Sequence, residues 1–115
     1  MRRFKSLRRA ATMIGLGLLI AGPASAQGDA LAGRKKAEIC ATCHGLDGLA
    51  KIAEAPNLAG QNEAYLVEQL TSFQSGARNN DMMSIVVKNL SDTDIANLAA
   101  YYAGIQIKVG KIPGQ

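Results

Sequence analysis

The chain has 115 residues, the size of one domain, with 13 basic and 9 acidic side chains and a formal charge of +4. Five of the basic residues, Arg2, Arg3, Lys5, Arg8 and Arg9, open the chain, so residues 27–115 hold eight basic and nine acidic side chains, a net of −1. That balance excludes a basic surface for nucleic acid.

The basic opening is followed by an apolar run over residues 10–21 and then by Pro23-Ala24-Ser25-Ala26. These are the three parts of a cleavable secretory signal. The run of 12 residues falls well short of the ~20 that span a bilayer as a helix. The expected organisation is therefore a signal over residues 1–26 and one exported domain over residues 27–115, with no transmembrane anchor once the signal is cut. A domain of 89 residues has a poor ratio of volume to surface. This one has no Trp, and its aromatics are Tyr65, Phe73, Tyr101 and Tyr102. Such a core calls for a disulfide, a metal or a bulky apolar group that the sequence does not encode.

No sustained apolar–polar alternation argues for strands, and the domain reads as all-α. Asp29 caps a first helix that runs to about Cys40. Residues 45–61, rich in Gly, Pro and Asn, form a long loop. Asn62 caps a second helix, Glu63 to Ser75, which carries Leu66, Leu70 and Phe73 on one face and stops at Gly76. A short helix starts near Met82 and ends by Asn89. Ser91-Asp92-Thr93-Asp94 resembles a capping box with Asp in the usual Glu position. It opens the last helix, from Asp92 to about Gly104, with Ile95, Leu98 and Tyr102 on one stripe. Residues 106–115 read as irregular.

The informative string is Cys40-Ala41-Thr42-Cys43-His44. A Cys-x-x-Cys pair alone admits a redox dithiol, half of a zinc site or a structural disulfide. The dithiol expects a βαβ context, which is missing. Structural zinc needs about four ligands, and residues 27–115 offer two Cys and one His. A disulfide closing so short a loop constrains the unfolded chain little. The adjacent histidine decides for haem. Each thiol adds to one of the two haem vinyl groups, and the next residue then lies under the iron. Cys-x-x-Cys-His is the c-type haem attachment signature. Thioether formation on an unfolded segment outside the cytoplasm agrees with an exported chain.

The second axial ligand follows by elimination only as far as a pair. His44 is the only histidine, and Met1 and Met13 belong to the signal, which leaves Met82 and Met83. Thioether sulfur is a soft ligand, and His/Met ligation raises the reduction potential of a haem. Spacing alone does not choose between the two methionines. They follow Arg78-Asn79-Asn80-Asp81 at a loop-to-helix junction.

The sequence resembles the class I c-type cytochromes of the short bacterial periplasmic kind, and one domain of the periplasmic dihaem cytochromes c in particular. The resemblance runs through Gly33, Cys40 to Gly45, Asp47-Gly48, Pro56-Asn57-Leu58-Ala59-Gly60-Gln61, Tyr65-Leu66, Met83, Leu90-Ser91-Asp92 and residues 95–102. It implies a small cytochrome c fold of about four helices around one covalent haem c. By the family's spacing to Leu90 it selects Met83 as the iron ligand opposite His44. It assigns Pro56 the carbonyl that accepts the His44 Nδ1 hydrogen bond. Asn80, three residues before Met83, is expected to donate to the sulfur. Gly33 matches the small residue where the first and last helices cross, near Leu98 and Tyr101. An aromatic expected three residues before Cys40 is replaced by Ala37. The function implied is one-electron transport in the periplasm, with donor and acceptor redox proteins docking transiently at the haem edge. A fixed subunit of a larger dehydrogenase, or a haem enzyme or sensor with a displaceable methionine, are the alternatives.

Overall fold

A computed structural model describes residues 27–115, and the expected signal over residues 1–26 lies outside the described residues. The described chain is helical, with no strand among the described residues. Helix α1 spans Ala30–Lys36, and its N-terminus is capped by the Asp29 carboxylate, which accepts from the amides of Leu31 and Ala32 at 2.8 and 3.1 Å. A single tight turn, Ala37–Ile39, follows, and then the one-turn helix α2, Ala41–His44.

The first helix was expected to continue to about Cys40, and here the structure differs. Arg34, Lys35 and Lys36 crowd the last turn of α1, where positive side chains favour the negative end of the helix dipole. The chain then tightens to hydrogen bonds of the i+3 type, with the Cys40 amide donating to the Ala37 carbonyl at 2.9 Å. This turn buries Ala37 completely and leaves Glu38 and Ile39 outside.

Helix α3 spans Glu63–Ser75, begins on the Asn62 side chain and ends at Gly76 with φ +82°, a left-handed conformation that favours glycine. Helix α4 is one turn, Met83–Val86. Helix α5 spans Asp92–Ala103 and opens on a complete capping box. The Ser91 hydroxyl accepts from the Asp94 amide at 3.0 Å, and the Asp94 carboxylate accepts from the Ser91 amide at 3.1 Å.

The stripe Ile95, Leu98 and Tyr102 is buried as its spacing predicts, together with Ala37, Leu66, Phe73, Val87, Leu90 and Ala99. Leu70, expected beside Leu66 and Phe73, packs half-buried against this cluster. Helices α1 and α5 cross where Gly33 sits. A Cβ built there would collide with the Asn97 carbonyl and reach 2.9 Å from the Tyr101 Cβ, so only glycine allows this approach. At one end of the crossing the Asp29 amide donates to Asn97 Oδ1 at 2.7 Å. At the other, Lys36 Nζ pairs with Asp94 at 3.1 Å. Among the described residues only nine apolar residues are buried, whereas ten large apolar side chains are exposed. The described chain alone therefore encloses little core for its size.

Candidate haem site

The site is built on α2 and on the loop that follows. His44, the last residue of α2, is buried with 7 % of its surface exposed. Its Nδ1 lies 2.8 Å from the Pro56 carbonyl oxygen. A carbonyl only accepts, so Nδ1 carries the proton and donates, and the lone pair on Nε2 is left for a metal. The pairing expected of Pro56 is thus present in the geometry.

The loop over residues 45–61 turns back to bring Pro56 over the ring. Gly45 starts it at φ +71° and Gly48 turns it at φ +70°. The Gly48 carbonyl accepts from the Leu58 and Ala59 amides at 2.8 and 3.1 Å. The Lys51 amide donates to the Cys43 carbonyl at 2.8 Å, and the Ala50 amide to Asn57 Oδ1 at 2.7 Å. These bonds close the loop on both sides of Pro56, and the turn is further tied by Lys51 Nζ to Asp47 at 2.9 Å.

Both cysteines are free thiols and half-buried. Burial pushes the Cys40 thiol up to about 11, with the Tyr102 hydroxyl beside it partly offsetting and Cys43 adding to the rise. Among the described residues no group of three or more His, Cys, Asp or Glu is arranged to hold a metal ion, so the zinc reading of the cysteine pair finds no further ligands.

The sequence reasoning set Tyr101 at the helix crossing and Tyr102 on the core stripe but missed that their hydroxyls lock this region to α5. The Tyr101 hydroxyl donates to the Leu46 carbonyl at 2.6 Å, and the Tyr102 hydroxyl to the Gly45 carbonyl at 3.2 Å. Their rings stand 5.0 Å apart, tilted by 59°. The acceptors are the two residues directly after His44, so the pair fixes the chain where it leaves α2. Burial also raises the Tyr102 phenol well above its ordinary value. The available signal was the adjacency of two tyrosines in the apolar second half of the last helix, since a buried hydroxyl requires a partner.

The methionines are placed differently from each other. Met82 is 64 % exposed, whereas Met83, the first residue of α4, is half-buried and packs against the core cluster that Cys40 also touches. Asn80, expected to donate to a sulfur, has its Oδ1 accepting from the Met82 and Met83 amides at 3.1 and 3.0 Å. It works as a cap on the segment that carries Met83.

The donor set fits a haem. Two free thiols with two residues between them, a buried imidazole with Nε2 available and a half-buried thioether are the groups such a cofactor requires. The small buried core and the many exposed apolar side chains fit an added apolar group as well. Residues 26–101 match the family model described as cytochrome C oxidase, cbb3-type, subunit III. The chain belongs to this family and is a class I c-type cytochrome. It accordingly carries one covalent haem c with its iron. The chain is 44 % identical over 95 residues to cytochrome c4 of Pseudomonas aeruginosa, covering 83 % of this chain and 47 % of the relative. It is 41 % identical over 108 residues to a thiosulfate dehydrogenase electron acceptor of Thiomonas intermedia, covering 92 % of this chain and 48 % of the relative. A crystal structure of reduced recombinant cytochrome c4 from Pseudomonas stutzeri superposes with a TM-score of 0.66 at 37 % identity, over 72 % of this chain and 48 % of that one. The chain spans about half the length of each of these three relatives. No helix among the described residues is long and apolar enough to cross a membrane.

Proposed function

We propose that this cytochrome is a periplasmic one-electron carrier. In this reading Cys40 and Cys43 hold the haem by thioether bonds, His44 and Met83 are the axial ligands, and residues 1–26 are a cleaved signal. The observation that carries the reading is the buried His44, with Nδ1 fixed on the Pro56 carbonyl and Nε2 left free, directly after two unpaired thiols. The preference for Met83 over Met82 rests on its packing against the core, where Met82 is exposed to solvent.

The haem, when bound, supplies reversible one-electron exchange between ferrous and ferric iron. The chain's part is to hold both ligands in one geometry through both oxidation states. The Pro56 hydrogen bond orients the His44 ring and keeps Nε2 as the ring nitrogen available to a metal. The Tyr101 and Tyr102 hydroxyls keep the segment after His44 from shifting. With His44 and Met83 both ligating it, the iron would offer no position to a substrate, which favours electron transfer over catalysis on the iron. Donor and acceptor proteins would dock transiently through a small interface at the haem edge, typically below ~1,200 Å² in total. A fixed cytochrome subunit of a dehydrogenase is the second reading, favoured by the relative named as a thiosulfate dehydrogenase electron acceptor.

The attachment is tested by haem staining after denaturing electrophoresis of the periplasmic fraction. Wild type is expected to stain at the mass of the chain, and the double variant Cys40→Ala, Cys43→Ala to lose the stain. A double variant that still stains at that mass overturns the assignment. Copurification from native periplasm separates the free carrier from the fixed subunit.

A further inference from the structure

We infer that Gln74 is a positioning residue for the axial methionine. This rests on Met83 being the iron ligand. Gln74 lies on α3, half-buried beside the buried Phe73. Its Nε2 donates to the Val87 carbonyl at 3.1 Å and to the Leu90 carbonyl at 2.6 Å. Carbonyls only accept, so the nitrogen end of the carboxamide faces them, and each of its two hydrogens has one acceptor.

These two carbonyls bracket the turn that joins α4 to α5. Val87 is fully buried and Leu90 nearly so, and the Leu90 amide donates back to the Val87 carbonyl at 3.0 Å. Val87 in turn donates its amide to the Met83 carbonyl at 3.0 Å. A chain of three bonded groups therefore runs from Gln74 through Val87 to the backbone of Met83. Among the described residues, the side chain of Gln74 makes both hydrogen bonds that pass from α3 to the segment 80–90. The other polar support of the segment is local: Asn80 Oδ1 on the Met82 and Met83 amides, and the Ser84 hydroxyl accepting from the Asn80 amide at 3.2 Å. Asn80 shapes the start of α4 but does not fasten it to another helix. Gln74 fastens its end, and with Gln74 removed the Met83 segment keeps its shape and loses its polar anchor to α3.

The consequence is a change in how often the methionine leaves the iron. An exogenous ligand binds the open form alone, so its apparent affinity follows the open fraction. Two neutral hydrogen bonds of ordinary net strength correspond to about a fivefold to 150-fold rise in that fraction. The test uses the ferric holoprotein and two variants. Gln74→Leu removes the donors at similar volume, and Gln74→Glu sets a carboxylate against two carbonyl oxygens. Both are expected to bind cyanide at least about fivefold more tightly than wild type. Both should lose the sulfur-to-iron charge-transfer band on warming well before the helical circular dichroism melts. A merely structural role would lower both melts together and leave cyanide affinity, measured below the melt, unchanged; that result overturns the inference.

A third measurement needs no variant. In wild type, the Gln74 side-chain amide protons should exchange with solvent much more slowly than those of the exposed Gln61 and Gln106. Equal rates overturn the inference even where the variants do not fold. Met83→Ala is measured in parallel. If it keeps the charge-transfer band, the ligand reading fails; if it loses the band while the Gln74 variants bind cyanide as wild type does, the positioning role alone fails.

Discussion

Gly33→Ala is the change whose sign is most diagnostic of the helix crossing. In an unconstrained helix interior, Ala in place of Gly stabilises by about 0.8–1 kcal/mol. At this position the new methyl collides with the Asn97 carbonyl and comes within 2.9 Å of the Tyr101 Cβ. The obstacle is backbone, which cannot rotate aside, so α1 and α5 must separate. Overpacking of this kind costs about 1–3 kcal/mol. Separation also strains the Asp29-to-Asn97 hydrogen bond at 2.7 Å, whose net worth is about 1 kcal/mol. The balance is a destabilisation of about 2 kcal/mol. For a domain of 60–100 residues each kcal/mol moves the melting temperature by roughly 4–8 °C, so the expected fall is about 8–16 °C. Thermal unfolding of the holoprotein, followed by far-ultraviolet circular dichroism, measures it. A melting temperature equal to or above wild type would show that the helices do not cross at Gly33 and refute the reasoning.

Tyr101→Phe leaves the Leu46 carbonyl without its donor, whereas Tyr102→Phe removes one of two donors from the Gly45 carbonyl, which keeps the Gly48 amide at 3.2 Å; each should cost about 0.5–1.5 kcal/mol in denaturant unfolding, Tyr101 with its 2.6 Å bond the more. Asp94 is held below the usual carboxylate range by the Ser91 amide first and by Lys36 second. A carboxyl lowered on folding adds stability above its unfolded value that is lost as pH falls through the folded value, so Asp94→Asn should flatten the acid limb of the stability profile below about pH 4. An unaltered limb would show that the capping box contributes nothing at acid pH. Intact mass of the purified protein should correspond to a chain starting at Gln27 plus one haem, and retention of residues 10–21 would show an anchor in place of a signal.

The parts of the fold that sequence disclosed are those decided by neighbouring residues. Asn62 and Gly76 bound α3 because a side-chain cap and a left-handed residue act within one turn. Ser91 and Asp94 open α5 for the same reason, and the Ile95, Leu98 and Tyr102 stripe is buried because helical periodicity fixes which side chains share a face. The break after Lys36 was not legible, because the choice between a continued helix and a tight turn depends on where Ala37 must pack. Nor were the tyrosine hydroxyls, whose acceptors lie 55 and 57 residues away in the chain. The same holds for the two carbonyls on Gln74, 13 and 16 residues distant. At the site, the string Cys40 to His44 was readable because the attachment chemistry is local in sequence. The residues themselves left Met82 and Met83 open and the family's spacing to Leu90 alone preferred Met83, because the difference in burial between them turns on residues elsewhere in the chain.

The axial ligand pair is the centre of the account, and the ferric absorption spectrum of two single variants tests it most directly. Adjacent helical residues point about 100° apart, so one methionine at a time can face the iron. Met83→Ala is expected to abolish the sulfur-to-iron charge-transfer band, lower the reduction potential and open the site to cyanide, since His/Met ligation raises the potential. Met82→Ala, at a position 64 % exposed, is expected to keep the band. Loss of the band in Met82→Ala with retention in Met83→Ala would contradict the account.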